Sequence, residues 1–193
     1  MKVINKKSEN TKLLWLDLEA GGLDYEKQPI LEIAAIVTEG IFKELESFYA
    51  LISIDESQIQ TMEEGARQMH EKNGLLKRLS EGGSKAEAEK SLLSFIDRYW
   101  SKNERVILAG NSVHFDRLYL KKQMPSVGQR LGHRVLDVSA WKTFFQMRFD
   151  IEVEKQAPHL AMDDIRLSIK ELHFYSQFID TKALTTWLSQ TSS

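Results

Sequence analysis

The 193-residue chain contains no cysteine, which excludes a disulfide framework and thiolate chemistry and fits a reducing cytoplasm. Proline occurs 3 times and glycine 10 times, too sparsely for a collagen-like or low-complexity sequence. No uninterrupted apolar run reaches the roughly 18 residues of a membrane-spanning helix. Met1 to Lys12 is polar and lysine-rich and lacks the apolar core of a secretory signal, so a cytoplasmic location is expected. Neither charge sign prevails: 26 Lys and Arg face 28 Asp and Glu, a formal net charge of −2. That balance argues against coating long duplexes by bulk electrostatics. It leaves room for an enzyme whose acidic centre is neutralised by bound cations. What is present, 42% hydrophobic and 28% charged residues, suits one domain over residues 1–193 with a substantial core.

Residues 13–19, Leu-Leu-Trp-Leu-Asp-Leu-Glu, form a short apolar run closed by Gly21-Gly22, the pattern of a buried strand ending in a turn. Similar runs at 30–37 and 48–52 complete an antiparallel meander. Residues 61–79 are polar with helical spacing. A long helix is predicted over 85–100, with Leu92, Leu93, Phe95, Ile96 and Trp100 on its buried face. Next come a strand at 105–111, a helix at 115–123 limited by Pro125, a strand at 135–138, and a helix at 140–149 with Ser139 as its N-cap. The last helix spans 162–178, with Ile165, Ile169, Leu172 and Tyr175 at core spacing; the tail from Thr181 is weakly patterned. Strands first, then strands alternating with helices, predict a mixed α/β sheet with helices packed around it.

Four acids sit where an ordinary core rejects them. Asp17 and Glu19 lie inside the first strand, and residues i and i+2 of a strand project to one face. Two adjacent anions there repel and lose hydration unless a cation lies between them. Taken alone, the pair fits a cation site and a solvent-facing strand equally well. Asp116 follows a strand end and opens a helix, where the backbone dipole alone accounts for an acid. Asp164 stands at the start of the final helix, five residues after His159, and invites the same plain explanation.

The order of these positions is more specific than any one of them. Asp-x-Glu, then an Asp after a Gly-Asn turn, then His-x-Ala-x-x-Asp resembles the DEDDh exonuclease superfamily. Four blocks are similar to its oligoribonuclease family over nearly the whole chain. They are Trp15-Leu16-Asp17-Leu18-Glu19 with Gly22-Leu23-Asp24, Gly110-Asn111-Ser112 with Asp116-Arg117, Leu136-Asp137-Val138-Ser139, and Ala161-Met162-Asp163-Asp164-Ile165-Arg166. The resemblance implies an RNase H-like mixed sheet, antiparallel meander plus parallel strands, flanked by helices. It implies a 3′→5′ exoribonuclease that hydrolyses short single-stranded RNA to nucleoside 5′-monophosphates with two divalent ions, Mg²⁺ or Mn²⁺. Asp17, Glu19, Asp116 and Asp164 are the implied ligands, with Asp17 bridging; such hard oxygen donors suit those cations. His159 is the implied general base, since histidine titrates near neutrality. Asp163 is left as a helix cap, Asp137 as a structural hydrogen-bond acceptor, and His114 and His173 as surface or packing residues.

For the substrate ends, the resemblance implies Leu23 as a wedge between bases and His70, Ser112 and Ser139 around the terminal phosphate. Arg134 would come from the partner subunit of a homodimer. This chain departs from the family pattern at Gly65 (a tryptophan there), His133 (a tyrosine), Leu160 (commonly arginine) and Ala20-Gly21-Gly22 (Met-Thr-Gly). The metal set is thus complete by residue type while the length-setting pocket is altered. Two alternatives stand beside the first reading: a sibling enzyme acting on longer RNA or single-stranded DNA ends, and a catalytically silent nucleic-acid- or protein-binding module.

Overall fold

The computed structural model of the protein describes residues 11–154, 159–183 and 186–187. Strands β1 (Lys12–Ala20), β2 (Ile30–Glu39) and β3 (Lys43–Leu51) pair antiparallel in sequence order. Three short helices follow, α1 (Glu56–Gln60), α2 (Glu64–Lys72) and α3 (Leu75–Arg78), and then α4 (Lys85–Asp97). Strand β4 (Val106–Gly110) joins the free side of β1 in parallel. Helices α5 (His114–Gln123) and α6 (Pro125–Gly128) lead to β5 (Leu131–Asp137), parallel to β4. Helices α7 (Val138–Phe149) and α8 (Ala161–Ser176) complete the order, around a sheet arranged β3-β2-β1-β4-β5. This is the mixed sheet the sequence predicts.

Strand alternation sorts the core into two layers. Leu14 and Leu16 of β1, with Ile33, Ala35 and Val37 of β2, point toward Leu92, Phe95 and Ile96 of α4. Leu13 and Trp15, with Ala34 and Ile36, point the other way, toward Phe145 of α7 and Ile165, Leu172 and Tyr175 of α8. With helices on both faces, the interior strand β2 is buried almost end to end, which is why it reads as a continuous apolar run. A polar pair lies within this interior: Trp15 Nε1 donates to Thr38 Oγ1 at 3.1 Å, satisfying both groups.

Several boundaries differ from the sequence reading. Residues 61–79 are not one helix, because Gly74, at φ +80°, separates α2 from α3 in a left-handed turn. Helix α4 stops at Asp97, although Trp100 remains buried. Strand β5 starts at Leu131 rather than 135; its exposed stretch His133-Arg134-Val135 lies on the sheet edge and breaks the apolar signal. The N-cap of α7 is Asp137, whose side chain accepts from the Ser139 amide, so Ser139 belongs to the first turn instead. Helix α8 has Leu160 at its N-cap, and Asp163 lies in the first turn without capping. The tail from Thr181 falls largely outside the described residues. Among the described residues no helix is long and apolar enough to cross a membrane.

Candidate active site

The alternation that aims Leu13 and Trp15 at α8 carries on to Asp17 and Glu19, which therefore face the N-terminal end of the same helix. Asp164 descends from that first turn to meet them. One carboxylate oxygen from each of Asp17, Glu19 and Asp164 lies within 4.8 Å of the others. Asp116, in the first turn of α5, reaches the same place from the other side of β1. Its Oδ1 accepts from the Leu18 amide at 2.9 Å, tying α5 to the strand midway between Asp17 and Glu19. Asp116 is thus more than a helix-dipole acid, although it stands outside the tight trio.

Crowding carboxylates into a half-buried pocket perturbs Asp17, Glu19 and Asp116 in one direction. Burial, followed by the charges of Asp116, Glu19, Asp164 and Glu32, lifts Asp17 well above the usual carboxylate range. Burial and then Asp164, Glu32 and Asp116 push Glu19 up to about 8. Asp116 rises to about 7, mainly through burial, with the backbone hydrogen bond from Leu18 opposing the rise. Among the described residues no lysine or arginine forms an ion pair with Asp17, Glu19 or Asp116. A site built of hard oxygen donors held this close fits a divalent metal.

The remaining catalytic candidate, His159, precedes α8 on a loop, with φ +53° in the left-handed region. A non-glycine residue in that region stores strain of about 1 kcal/mol or more, and such strain concentrates at functional loops. Two contacts hold the segment in place: Asn73 Nδ2 donates to the His159 carbonyl at 2.6 Å, and the Ala161 amide donates to Glu32 Oε2 at 2.9 Å.

Asp17, Glu19, Asp116, Asp164 and His159 all line one cavity of about 720 Å³. Its apolar wall is Leu23, Met69, Phe115 and Tyr119. Leu23 is 69% exposed, so it is not a core leucine. Its position follows from the tight turn before it: a side chain at Gly22 would collide with Glu63, whose Oε1 accepts the Leu23 amide at 2.9 Å. Gly65 borders the cavity with open space around its Cα. Phe115, next to Asp116, is 41% exposed and packed on the His114 ring; sequence reading overlooked it because an apolar residue in a first helical turn signals packing.

Ser112 and Ser139 are brought together, their hydroxyl oxygens 3.1 Å apart, and Ser112 lines the same cavity. The Ser112 amide donates to Asp137 Oδ1 at 3.0 Å and to Ser139 Oγ at 2.9 Å, and Asn111 joins the knot through Ser139 Oγ. Asp137 is therefore the structural acceptor expected of it. A second cavity of about 470 Å³ opens beside this knot, lined by Asp17, Asp164, Asn111, Ser139 and Lys142. His70 is not in either cavity. It is fully buried, and its Nε2 donates to the Ala20 carbonyl at 2.9 Å, which removes it from the surface a terminal phosphate can reach here. Arg134 lies on the exposed edge strand β5 beside a separate groove that none of Asp17, Glu19, Asp116 and Asp164 lines. His114 is exposed, and His173 packs edge-on against Phe42.

The sequence model of the exonuclease family matches residues 14–172. The chain is 36% identical over 180 residues to a probable oligoribonuclease of Schizosaccharomyces pombe, covering 90% of this chain and 71% of that one. It is 38% identical over 173 residues to the oligoribonuclease of Marinobacter nauticus, covering 87% and 96%, and 35% identical over 179 residues to the mitochondrial oligoribonuclease of Homo sapiens, covering 90% and 75%. Among solved structures it resembles E. coli exonuclease I in complex with an oligonucleotide, with a TM-score of 0.65 at 15% identity. That alignment covers 94% of this chain but only 43% of exonuclease I, and supports the RNase H-like fold alone.

Proposed function

Because the chain belongs to the oligoribonucleases of the DEDDh exonuclease superfamily, we propose that it removes nucleoside 5′-monophosphates stepwise from the 3′ end of short single-stranded RNA. The observation that carries this reading is the convergence of Asp17, Glu19 and Asp164 to within 4.8 Å beside His159, in one open cavity. Two divalent cations, when bound, supply charge relief on the phosphoryl oxygens and acidify the attacking water. Asp17, Glu19, Asp116 and Asp164 would hold them. His159 takes the proton of the water that attacks phosphorus. The bond from phosphorus to the upstream 3′-oxygen breaks, so the departing nucleotide keeps its 5′-phosphate. Leu23 separates the terminal bases, and Ser112 and Ser139 donate to the terminal phosphate. In a homodimer, Arg134 of a second copy would complete that subsite, since an arginine fork matches phosphate geometry.

A second reading draws on Gly65. Open space there widens the mouth above Leu23 and Phe115, which favours admission of longer RNA or single-stranded DNA over a strict two-nucleotide limit. Digestion of end-labelled RNA and DNA strands of graded length in Mn²⁺ separates the two. Fastest turnover on the shortest RNAs supports the first reading; a marked preference for long DNA replaces it with the second. An Asp17→Asn protein should remain folded and inactive on every substrate. Wild-type protein without metal-dependent hydrolysis of any short strand would leave a silent binding module.

A further inference from the structure

Glu32 is a charged residue on the most buried strand, 1% exposed, and no step of the proposed reaction uses it. It lies opposite Glu19 in the β1–β2 pairing and on the sheet face that α8 covers, in line with Ala34 and Ile36. An unpaired charge at such a depth is costly, so its partners indicate what it is for. There are three. Its Oε2 accepts from the Ala161 amide at 2.9 Å, the first residue of α8. Its Oε1 accepts a short hydrogen bond from the Tyr49 hydroxyl on β3 and faces Arg78 Nη1 at 3.8 Å. Arg78 in turn donates to Tyr49 Oη at 2.7 Å, which closes the network. Helix α8 supplies no side-chain cap of its own, Leu160 standing at the N-cap, so a carboxylate from another element takes the role.

The residues on either side of that amide are the ones the chemistry needs. His159 lies two positions before Ala161 and Asp164 three positions after it. We propose that Glu32 is a positioning residue. Its hydrogen bond to the Ala161 amide sets the axial position and rotation of the first turn of α8, and so brings Asp164 and His159 into register with Asp17 and Glu19. Tyr49 and Arg78 hold the carboxylate from behind, so the register of α8 is fixed from β2 and β3. The inference rests on the nuclease reading for its kinetic consequence, but not for its structural one.

Glu32→Ala removes the acceptor; Glu32→Gln keeps an oxygen for the Ala161 amide and removes the charge. In Glu32→Ala, Mn²⁺ affinity measured calorimetrically and kcat on a short RNA should each fall roughly 10–100-fold, the range seen when groups that orient metal ligands are removed. KM should stay within about threefold, because Leu23, Ser112 and Ser139 are untouched. The Ala161 amide should exchange hydrogen faster in Glu32→Ala than in the wild type. Glu32→Gln should recover most of all three losses. If Glu32→Gln is as impaired as Glu32→Ala, charge rather than position matters, and the proposal is overturned. Wild-type Mn²⁺ affinity and kcat in Glu32→Ala overturn it equally. Should Glu32→Ala fail to fold, Tyr49→Phe, which removes one of the two groups behind the carboxylate, should give a smaller loss of kcat at unchanged KM; a rise in KM alone would contradict the proposal. An inactive wild type defeats the nuclease reading instead, and the Mn²⁺ affinity and exchange measurements still decide the role of Glu32.

Discussion

Replacing Glu19 with glutamine should make the metal-free protein more stable while disabling it. The side chain is almost fully buried, and burial together with Asp164, Glu32 and Asp116 lifts its carboxyl from 4.5 to about 8. In the unfolded chain the same carboxyl ionises freely. At pH 7 that difference costs the folded state on the order of 3 kcal/mol, at 1.36 kcal/mol per unit of pKa. Glutamine keeps the shape and has no charge to suppress. For a chain of this size each kcal/mol moves the melting temperature by roughly 2–4 °C, so Glu19→Gln in EDTA should melt roughly 6–12 °C above the wild type. Divalent cation should reverse the ranking. Millimolar Mn²⁺ should stabilise the wild type by occupying the site, by about 2.7 kcal/mol at a hundredfold excess over Kd, and should do far less for a protein lacking one of its ligands. Differential scanning fluorimetry at pH 7, with EDTA and with Mn²⁺, reads both effects. A Glu19→Gln protein that melts below the wild type in EDTA, yet gains as much from Mn²⁺, would refute the electrostatic reasoning.

Other expectations follow from the same geometry. In EDTA the wild type should lose stability as pH rises from about 6.5 toward 8, because the folded state holds the Glu19 proton more tightly than the unfolded chain does; melting curves across that window check the sign. Below 6.5 the buried, neutral His70, held under its ordinary value by burial, works in the opposite sense, so the gap between wild type and Glu19→Gln is the cleaner readout and should narrow toward pH 5. His159→Ala should lower kcat by about 10²–10⁴-fold while leaving Mn²⁺-induced stabilisation intact, and loss of that stabilisation would move His159 from proton transfer to metal binding. Phe115→Ala should raise KM for short RNA by an amount corresponding to about 1–3 kcal/mol, the worth of one base stacked on an aromatic ring, with kcat retained; an unchanged KM would assign Phe115 to packing.

The parts of the fold that were legible in the sequence are those where burial is one-sided or complete. The run of residues 30–37 announced β2 because both sheet faces are covered, and the alternation in residues 13–19 placed Asp17 and Glu19 on a common face. Strand β5 was read too short because an exposed edge strand needs no apolar pattern, and His133-Arg134 supply none. Asp137 took the cap expected of Ser139 because its carboxylate serves two amides, those of Ser112 and Ser139, which only the folded turn brings together. At the site, Asp116 and Asp164 are ambiguous one at a time and become informative only in their order along the chain. His70 has the residue type of a phosphate ligand, but the folded chain spends it on the Ala20 carbonyl. Glu32 stands out as a charge inside Ile30-Leu31-Glu32-Ile33, but its partners Tyr49, Arg78 and Ala161 are distant in sequence, so its role shows only in the fold. A homodimer, and with it any role for Arg134, concerns a surface on which a single chain's periodicity is silent.

We propose that divalent cations neutralise together the acids that β1, α5 and α8 bring into one place. Anomalous diffraction from crystals soaked in Mn²⁺ tests it directly. Manganese peaks bounded by Asp17, Glu19, Asp116 and Asp164, lost in Asp17→Asn, are the predicted result. Crystals of active protein with no manganese among these carboxylates, at concentrations that support hydrolysis, would contradict it.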